Sequence, residues 1–197
     1  MTLPNSRLFL VAPISGNIDL LADCIAAANA AGDIASLLIT DSEVAGHLLP
    51  VAQSGDVAVL IENNSELALK LGADGIEVGA DVRGYKDCRS LVGTGMAIGA
   101  NCGADRHAAM EMAEAGADYV RISSFEPGPG DEQLIAWWSQ LFEIPCVTAE
   151  ALTSEQIADA ARMGADFVRP ADEMWSSPLQ AKKIISQAMQ AIEGASK

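Results

Sequence analysis

Basic residues are scarce in this 197-residue chain: 12 lysines and arginines stand against 27 aspartates and glutamates, and the formal net charge is −15. Nucleic acid needs a basic face for its phosphates, so this charge argues against nucleic acid as a partner, and it argues equally against an anionic membrane surface. The chain also lacks an 18-residue apolar run, and its first residues lack the charged leader of a signal peptide. We therefore expect a cytoplasmic protein that binds neither nucleic acid nor membrane.

Cysteines are few, and none is spaced as a metal-binding pair. In a reducing compartment all four are expected to be free thiols. Only Cys102, at the end of a predicted strand, is kept as a candidate site residue. The chain also has no dinucleotide-binding glycine motif. No residue is proposed as a metal ligand.

What the chain does contain is a repeated pattern: LGADGIEV (71–78), AGADYVRI (115–122) and MGADFVRP (163–170) each follow a stretch rich in Ala, Met and Leu. The glycine supplies the left-handed conformation that ends a helix, and a short strand follows. Eight apolar strands are predicted, at 7–12, 35–40, 57–62, 75–78, 95–101, 119–124, 144–149 and 167–170. With a helix after each strand, they predict an α/β fold, a single (β/α)8 barrel over residues 1–197 with short loops. A doubly wound open sheet is the alternative.

Three longer runs resemble the thiamine phosphate synthase and thiazole tautomerase family. They read LIENNSELALKLGADGIEVGAD, MAIGANCGADRHAAMEMAEAGADYVRIS and IPCVTAEALTSEQIADAARMGADFV. The resemblance implies a TIM barrel and a part in thiamine biosynthesis. Family members join hydroxymethylpyrimidine diphosphate to a thiazole phosphate with magnesium, releasing diphosphate, and a relative of the same fold is an aromatising thiazole tautomerase. Mg²⁺ is therefore the implied cofactor only if this family reaction is retained.

The positions that the resemblance assigns to metal and phosphate carry other residues here. The family's magnesium-binding Asp aligns with Asn63. The family's second metal-binding carboxylate aligns with Asp81 only if the loop shifts by one residue. Phosphate-binding positions after strands 7 and 8 align with Glu150 and Asp172, and the diphosphate loop aligns with 125–130, which has no Lys or Thr. The resemblance implies a thiamine phosphate synthase-like protein. The replaced metal and phosphate ligands argue against the family reaction in this chain. The alternative is a non-catalytic homologue that binds a small anion or has a regulatory role.

The fourth residue of each repeat, counted from the Asp, is charged: Glu77, Arg121 and Arg169. Side chains alternate along a barrel strand, so these three residues of strands 4, 6 and 8 should face the lumen near the catalytic end. We expect the three side chains to meet there, where Glu77 can share its charge with the two arginines through paired hydrogen bonds. The group either fills the lumen structurally or offers one spare positive charge to a small anion, a phosphate or carboxylate. Other polar residues are expected to ring the same mouth: Glu62, Asn63, Asn101 and Ser123.

Tryptophans give the only hint of self-association. Trp137 and Trp138 are adjacent on a predicted helix and must point in different directions. One is expected to pack inward, and the other, with Trp175, is a candidate for a subunit interface in a homo-oligomer.

Overall fold

Eight parallel strands form the centre of the molecule in a computed structural model that describes residues 6–122 and 133–195. The strands are Arg7–Ala12 (β1), Ile34–Ile39 (β2), Ala58–Glu62 (β3), Gly75–Gly79 (β4), Ala97–Gly103 (β5), Tyr119–Ile122 (β6), Cys146–Ala151 (β7) and Phe167–Pro170 (β8). They close into a barrel in chain order, β8 pairing with β1. The predicted (β/α)8 barrel is therefore confirmed, and the open-sheet alternative is wrong.

Helices alternate with the strands around the outside. They are Ile18–Asn29 (α1), Ala45–Gln53 (α2), Ser65–Leu71 (α3), Val82–Val92 (α4), Arg106–Ala115 (α5), Leu134–Leu141 (α6), Ser154–Arg162 (α7) and Pro178–Ala195 (α8). A short 3₁₀ helix that the sequence pattern did not predict, Asp172–Ser176, lies between β8 and α8. No helix among the described residues is long and apolar enough to cross a membrane.

Two strands lie further along the chain than predicted. β5 and β7 each begin and end two residues later than the predicted 95–101 and 144–149. The shift places Asn101 inside β5, and it places Glu150 inside β7 at the carboxyl-terminal end of the barrel.

The Gly-Ala-Asp repeats act at the opposite, amino-terminal end. Gly72, Gly116 and Gly164 have φ of 71°, 100° and 89°, the left-handed conformation expected after a helix. The aspartate that follows two residues later accepts a hydrogen bond from a backbone N–H near the start of the preceding strand: Asp74 from Val59 (2.7 Å), Asp118 from Ile98 (2.7 Å) and Asp166 from Cys146 (2.9 Å). These aspartates link neighbouring strands, so they are part of the framework and not of a ligand site.

Strand register divides the lumen into layers, because alternate strands contribute to each layer. The odd strands supply Phe9, Leu60, Gly99 and Val147, and the even strands supply the layer above, Leu38, Glu77, Arg121 and Arg169. We call the second set the charged layer. An apolar cluster packs at and below it, formed by Phe9, Leu38, Leu60, Tyr119 and Val147. The lumen at and below the charged layer is thus a packed core, so we look for ligands at the mouth above it.

Candidate functional site

Glu77 is the centre of a buried polar cluster with Arg121 and Tyr119. Its side chain is fully buried, and Arg121 is 8% exposed. Arg121 Nε donates to both carboxylate oxygens (2.9 and 3.1 Å), and Nη2 donates to Oε1 at 2.6 Å. The Tyr119 hydroxyl donates to Oε2 at 3.0 Å. The carboxylate is therefore well satisfied, as a buried charge must be to avoid a large desolvation cost.

A missing side chain makes room for this cluster. A Cβ on Gly99 would lie 1.9 Å from Tyr119 Cζ, so any residue larger than glycine would collide with the tyrosine ring. The ring also packs edge-on against Phe9, with centroids 5.7 Å apart. Because Gly99 has no side chain, the Tyr119 ring fits beside it within the apolar layer, and the Tyr119 hydroxyl lies next to Glu77.

Burial dominates the ionisation of these groups. It raises the pKa of Glu77, although the attraction and hydrogen bonds of Arg121 act in the opposite direction. Burial and the neighbouring Glu77 carboxylate raise the pKa of Tyr119 well above its ordinary value. Burial is the largest single effect on Arg121 and opposes its charge, but the attraction and hydrogen bonds of Glu77, together with the attraction of Tyr119 and Glu62, raise the pKa of Arg121 on balance.

Arg169 belongs to a separate cluster at the ends of β7 and β8. Its Nη2 donates to Asp172 Oδ2 at 2.6 Å and lies 4.0 Å from Glu150 Oε2. Glu150 Oε1 in turn accepts the backbone N–H of Asp172 at 2.8 Å. We call Glu150, Arg169 and Asp172 the β7–β8 cluster.

The expectation that Glu77 bridges both arginines is therefore wrong for Arg169. Among the described residues, Glu77 forms an ion pair with Arg121 alone. The reason is local: the pairing of β7 with β8 shifts between Val147 and Glu150, which sets Glu150 opposite Arg169. Asp172, the first residue of the 3₁₀ helix, also pairs with the Arg169 guanidinium, at 2.6 Å.

Carboxylates outnumber guanidiniums around the charged layer. Glu62 lies 3.9 Å from Arg121, so each arginine has two carboxylates within 4.0 Å. The spare positive charge on which the anion-binding interpretation was based is therefore not found among the described residues. A small anion would have to displace a carboxylate or use a guanidinium N–H that has no partner.

The remaining predicted residues are only partly brought together. Asn63 directly follows β3 in a left-handed conformation (φ 51°), and its N–H donates to the carbonyl of Glu77 at 2.9 Å. Asn101 Oδ1 accepts the N–H of Gly103 at 3.3 Å. Ser123 and the loop at 125–130 lie outside the described residues.

A cleft of about 470 Å³ opens beside Asn63, between the β3–α3 and β4–α4 connections. Its walls include Ser65, Val78, Gly79 and Asp81. This volume is in the range of small-molecule sites, about 300–1,000 Å³. The remaining walls belong to α4, and neither Glu77 nor Arg121 lines the cleft. The cleft therefore lies between α3 and α4 beside the mouth, outside the charged layer.

The described residues do not fit the magnesium site that the resemblance implies. Asn63 offers a neutral amide, and the carboxylate of Asp81 caps α4 by accepting the N–H groups of Arg83 (3.1 Å) and Gly84 (3.0 Å). Within 6–122 and 133–195, no three His, Cys, Asp or Glu residues are grouped so that they could hold a metal ion. Mg²⁺ is commonly held by one or two carboxylates together with ligand phosphates. At the two positions that the resemblance implies, the chain has a neutral amide and a carboxylate engaged in a helix cap.

Three other residues that the sequence singled out are buried. Cys102 is 5% exposed, and burial raises its thiol pKa to about 12, so it is not a ready nucleophile. Trp138 is fully buried, as expected for one of the adjacent pair. Trp175 is 7% exposed within a single chain, so little of its side chain is available to a subunit interface, and a homo-oligomer stays a prediction.

The fold and this mouth define a (β/α)8 barrel whose ligand end lies at the carboxyl-terminal ends of its strands. A profile of the family described as thiamine monophosphate synthase matches residues 40–170, about two thirds of the chain. The chain belongs to the thiamine monophosphate synthase family, which confirms the resemblance seen in its sequence.

Individual relatives agree with the family match. The thiamine-phosphate synthase of Rhodospirillum centenum is 32% identical over 187 residues, which cover 87% of this chain and 90% of that protein. The thiamine-phosphate synthase of Erythrobacter litoralis is 36% identical over 144 residues, 68% of each chain. Among solved structures, a thiamine phosphate pyrophosphorylase from Pyrococcus furiosus superposes with a TM-score of 0.77 at 14% identity, covering 97% of both chains. At that identity the superposition shows the shared fold alone.

Sequence reasoning missed Tyr119 as a partner of Glu77 and the contact between Glu150 and Asp172. A signal for the first was present: Gly99 is a small residue on β5, which pairs with β6 directly at Tyr119. The second had no signal, because the register shift in β7 is not visible as a pattern in the sequence.

Proposed function

We propose that this chain acts in thiamine biosynthesis as a thiamine phosphate synthase-like protein that holds its ligands at the carboxyl-terminal mouth of the barrel. The family match carries this proposal, because residues 40–170 include β3 to β8 and therefore the candidate residues of the mouth that the structure describes. The cleft beside Asn63 supports it with space for a small molecule. A cytoplasmic location is part of the same proposal.

The family reaction joins a pyrimidine diphosphate to a thiazole phosphate, and we expect this chain to perform it slowly. A ligand phosphate near Glu150 or Asp172 meets repulsion of roughly 1 kcal/mol per close charge pair in water-like surroundings. Each missing charge-assisted hydrogen bond removes roughly 1.5–3 kcal/mol more. Two or three such losses correspond to a rate about a thousandfold or more below that of an intact family enzyme.

A second candidate is a non-catalytic homologue that binds a small anion, a phosphate or carboxylate, or that regulates the pathway. The observation favouring it is that Arg169 Nε is shielded from solvent and has no hydrogen-bond partner. Of the other guanidinium nitrogens, Nη2 donates to Asp172 at 2.6 Å. An unused donor of this kind suits an acceptor oxygen supplied from outside.

The test is to mix the purified protein with hydroxymethylpyrimidine diphosphate, thiazole phosphate and MgCl₂, and to measure thiamine phosphate against an active family enzyme. Thermal unfolding with each ligand is measured in parallel. Slow turnover with ligand-dependent stabilisation supports the first candidate. Stabilisation without turnover supports the second. Turnover equal to the reference enzyme overturns the expected slow rate, and the absence of both turnover and stabilisation overturns the proposed function.

Arg169→Ala, with Arg162→Ala as the matched control, locates the binding. Arg162 lies on the outer face of α7 with its side chain 56% exposed and pairs there with Asp159. Both variants remove one guanidinium from an ion pair with an aspartate three residues away. Ligand stabilisation should fall in Arg169→Ala and persist in Arg162→Ala. Equal effects in the two variants would place the ligand elsewhere.

A further inference from the structure

We propose that the cleft between α3 and α4 is a binding site for a small organic cation, an ammonium group joined to an apolar body. The proposed function uses this cleft only as space beside the mouth. The inference goes beyond that function, because it assigns the cleft a ligand class opposite in charge to the family's phosphate substrates. It does not depend on turnover at the mouth.

The cleft is a deep depression and not a flat patch of surface. Its volume is about 470 Å³, and one face of α4 lines it, with residues at helical spacing: Gly84, Asp87, Cys88 and Leu91. Cys88 lines the cleft although it is only 6% exposed, so the cleft reaches below the outer surface of the helices. A Cβ on Gly79 would meet nothing within 4 Å, so the cleft stays open where it meets β4. A small molecule can therefore be partly enclosed here.

The charged groups that line the cleft are all negative. They are the carboxylates of Asp81 and Asp87, and no lysine or arginine of the described residues is among the walls. Neither carboxylate takes part in an ion pair within the described part of the chain. The net charge of −15 adds a long-range attraction for cations. An anion is therefore repelled from this cleft, and a cation is attracted to it.

The other walls favour an organic cation over a metal ion. Val78 and Leu91 offer apolar surface, and Leu91 is 53% exposed. Besides the aspartates, the polar side chains are the amide of Asn63 and the hydroxyl of Ser65, which donates to Cys88 Sγ at 3.2 Å. A divalent metal ion needs several oxygen ligands, and the described residues contain no group of three His, Cys, Asp or Glu that could hold one. An ammonium group needs fewer acceptors, and its carbon body can pack against the apolar walls.

The probe is 2-phenylethylammonium chloride, titrated into the full chain at neutral pH and constant ionic strength and followed by amide NMR shifts. The comparison ligand is 3-phenylpropionate, which is similar in size and negative. A unit charge roughly 4 Å from one carboxylate changes affinity about fivefold even in water-like surroundings. With two carboxylates in the cleft, we expect the cation to bind at least about tenfold more tightly than the anion.

Two variants locate the binding. Asp87→Asn should weaken the cation about fivefold, and Asp23→Asn is its matched control, because it removes one exposed aspartate from α1. Leu91→Asn should weaken the cation about threefold by removing apolar contact. Its matched control is Leu141→Asn, since Leu141 is 65% exposed at the end of α6. Circular dichroism verifies that each variant is folded.

Stronger binding of the cation that falls in both cleft variants and persists in both controls supports the proposal. It is overturned if the anion binds as tightly as the cation, or if neither probe binds the folded chain. Equal affinities in Asp87→Asn and Asp23→Asn would also overturn it, by placing the ligand elsewhere. Because the titration uses no pyrimidine or thiazole compound, its failure is distinguishable from failure of the proposed function.

Discussion

Arg121 and Arg169 occupy the same place in two copies of one sequence repeat, yet their surroundings differ. Arg121 is buried with Glu77, and three hydrogen bonds join the two side chains. Arg169 is held by one hydrogen bond to Asp172 and has an unpaired Nε. The repeat thus fixes which layer of the barrel an arginine enters, and the neighbouring strands decide what it binds there.

The difference follows from the strands between the charged residues. β5 lies between β4 and β6 and carries Gly99 where the pairing meets Glu77 and Tyr119, so the lumen has room for a compact buried cluster. β7 lies between β6 and β8, and its shifted register brings a new carboxylate, Glu150, into the mouth. One side of the charged layer is therefore filled by a buried cluster, and the other carries two partly exposed carboxylates.

Glu77→Ala should have the largest effect on this comparison. It leaves the Arg121 guanidinium buried with only Glu62 at 3.9 Å, and breaking a buried pair in this way costs about 3–5 kcal/mol in the free energy of unfolding. Asp172→Ala is the control, because the carboxylate that it removes is 42% exposed and such pairs contribute about 0–1 kcal/mol. Urea denaturation of both variants measures the difference. Equal losses would show that the two arginines do not differ in their dependence on a partner.

Gly99→Ala should destabilise the chain by about 1–3 kcal/mol, the usual cost of overpacking a core. The new Cβ would lie 1.9 Å from Tyr119 Cζ, so the ring must move and weaken its bond to Glu77. Gly79→Ala is the matched control on β4, since a Cβ there meets nothing within 4 Å. A Gly99→Ala variant as stable as Gly79→Ala would show that the Tyr119 position is not set by this contact.

The smallest predicted effect is a pH dependence carried by Glu77. Because its pKa is raised in the folded state above the ordinary 4.5, the folded chain holds this proton more tightly than the unfolded chain does. Its contribution to stability is therefore fully present below pH 4.5 and is lost as the pH rises above that value. The free energy of unfolding of the unmodified chain, measured from pH 4.5 upward, should fall relative to that of Glu77→Gln. Glu66→Gln is the control, because Glu66 is exposed on α3. A relative rise over this range would mean that the Arg121 pair outweighs burial.

The fold was predictable because its signals are local and repeated. Gly72, Gly116 and Gly164 end three helices with the backbone conformation that the pattern requires, and eight apolar runs leave few alternatives to a barrel. Within the candidate site, alternation correctly placed Glu77 with Arg121. It did not identify the partners of Arg169, because these depend on strand register and on a 3₁₀ helix whose formation has no periodic signal in the sequence.

The sequence by itself determined the barrel, the family and the layer of the lumen that carries the charges, since each follows from local turns, side-chain alternation or the order of matched segments. Only the tertiary structure decided that Asp81 caps a helix, that Tyr119 completes the bonds of Glu77, and that Glu150 and Asp172 meet Arg169. The physical reason is that hydrogen bonds and ion pairs are sensitive to differences of a few tenths of an ångström in the distance between groups on segments that are distant in the chain. Such separations are set by packing and register, which short sequence patterns do not encode.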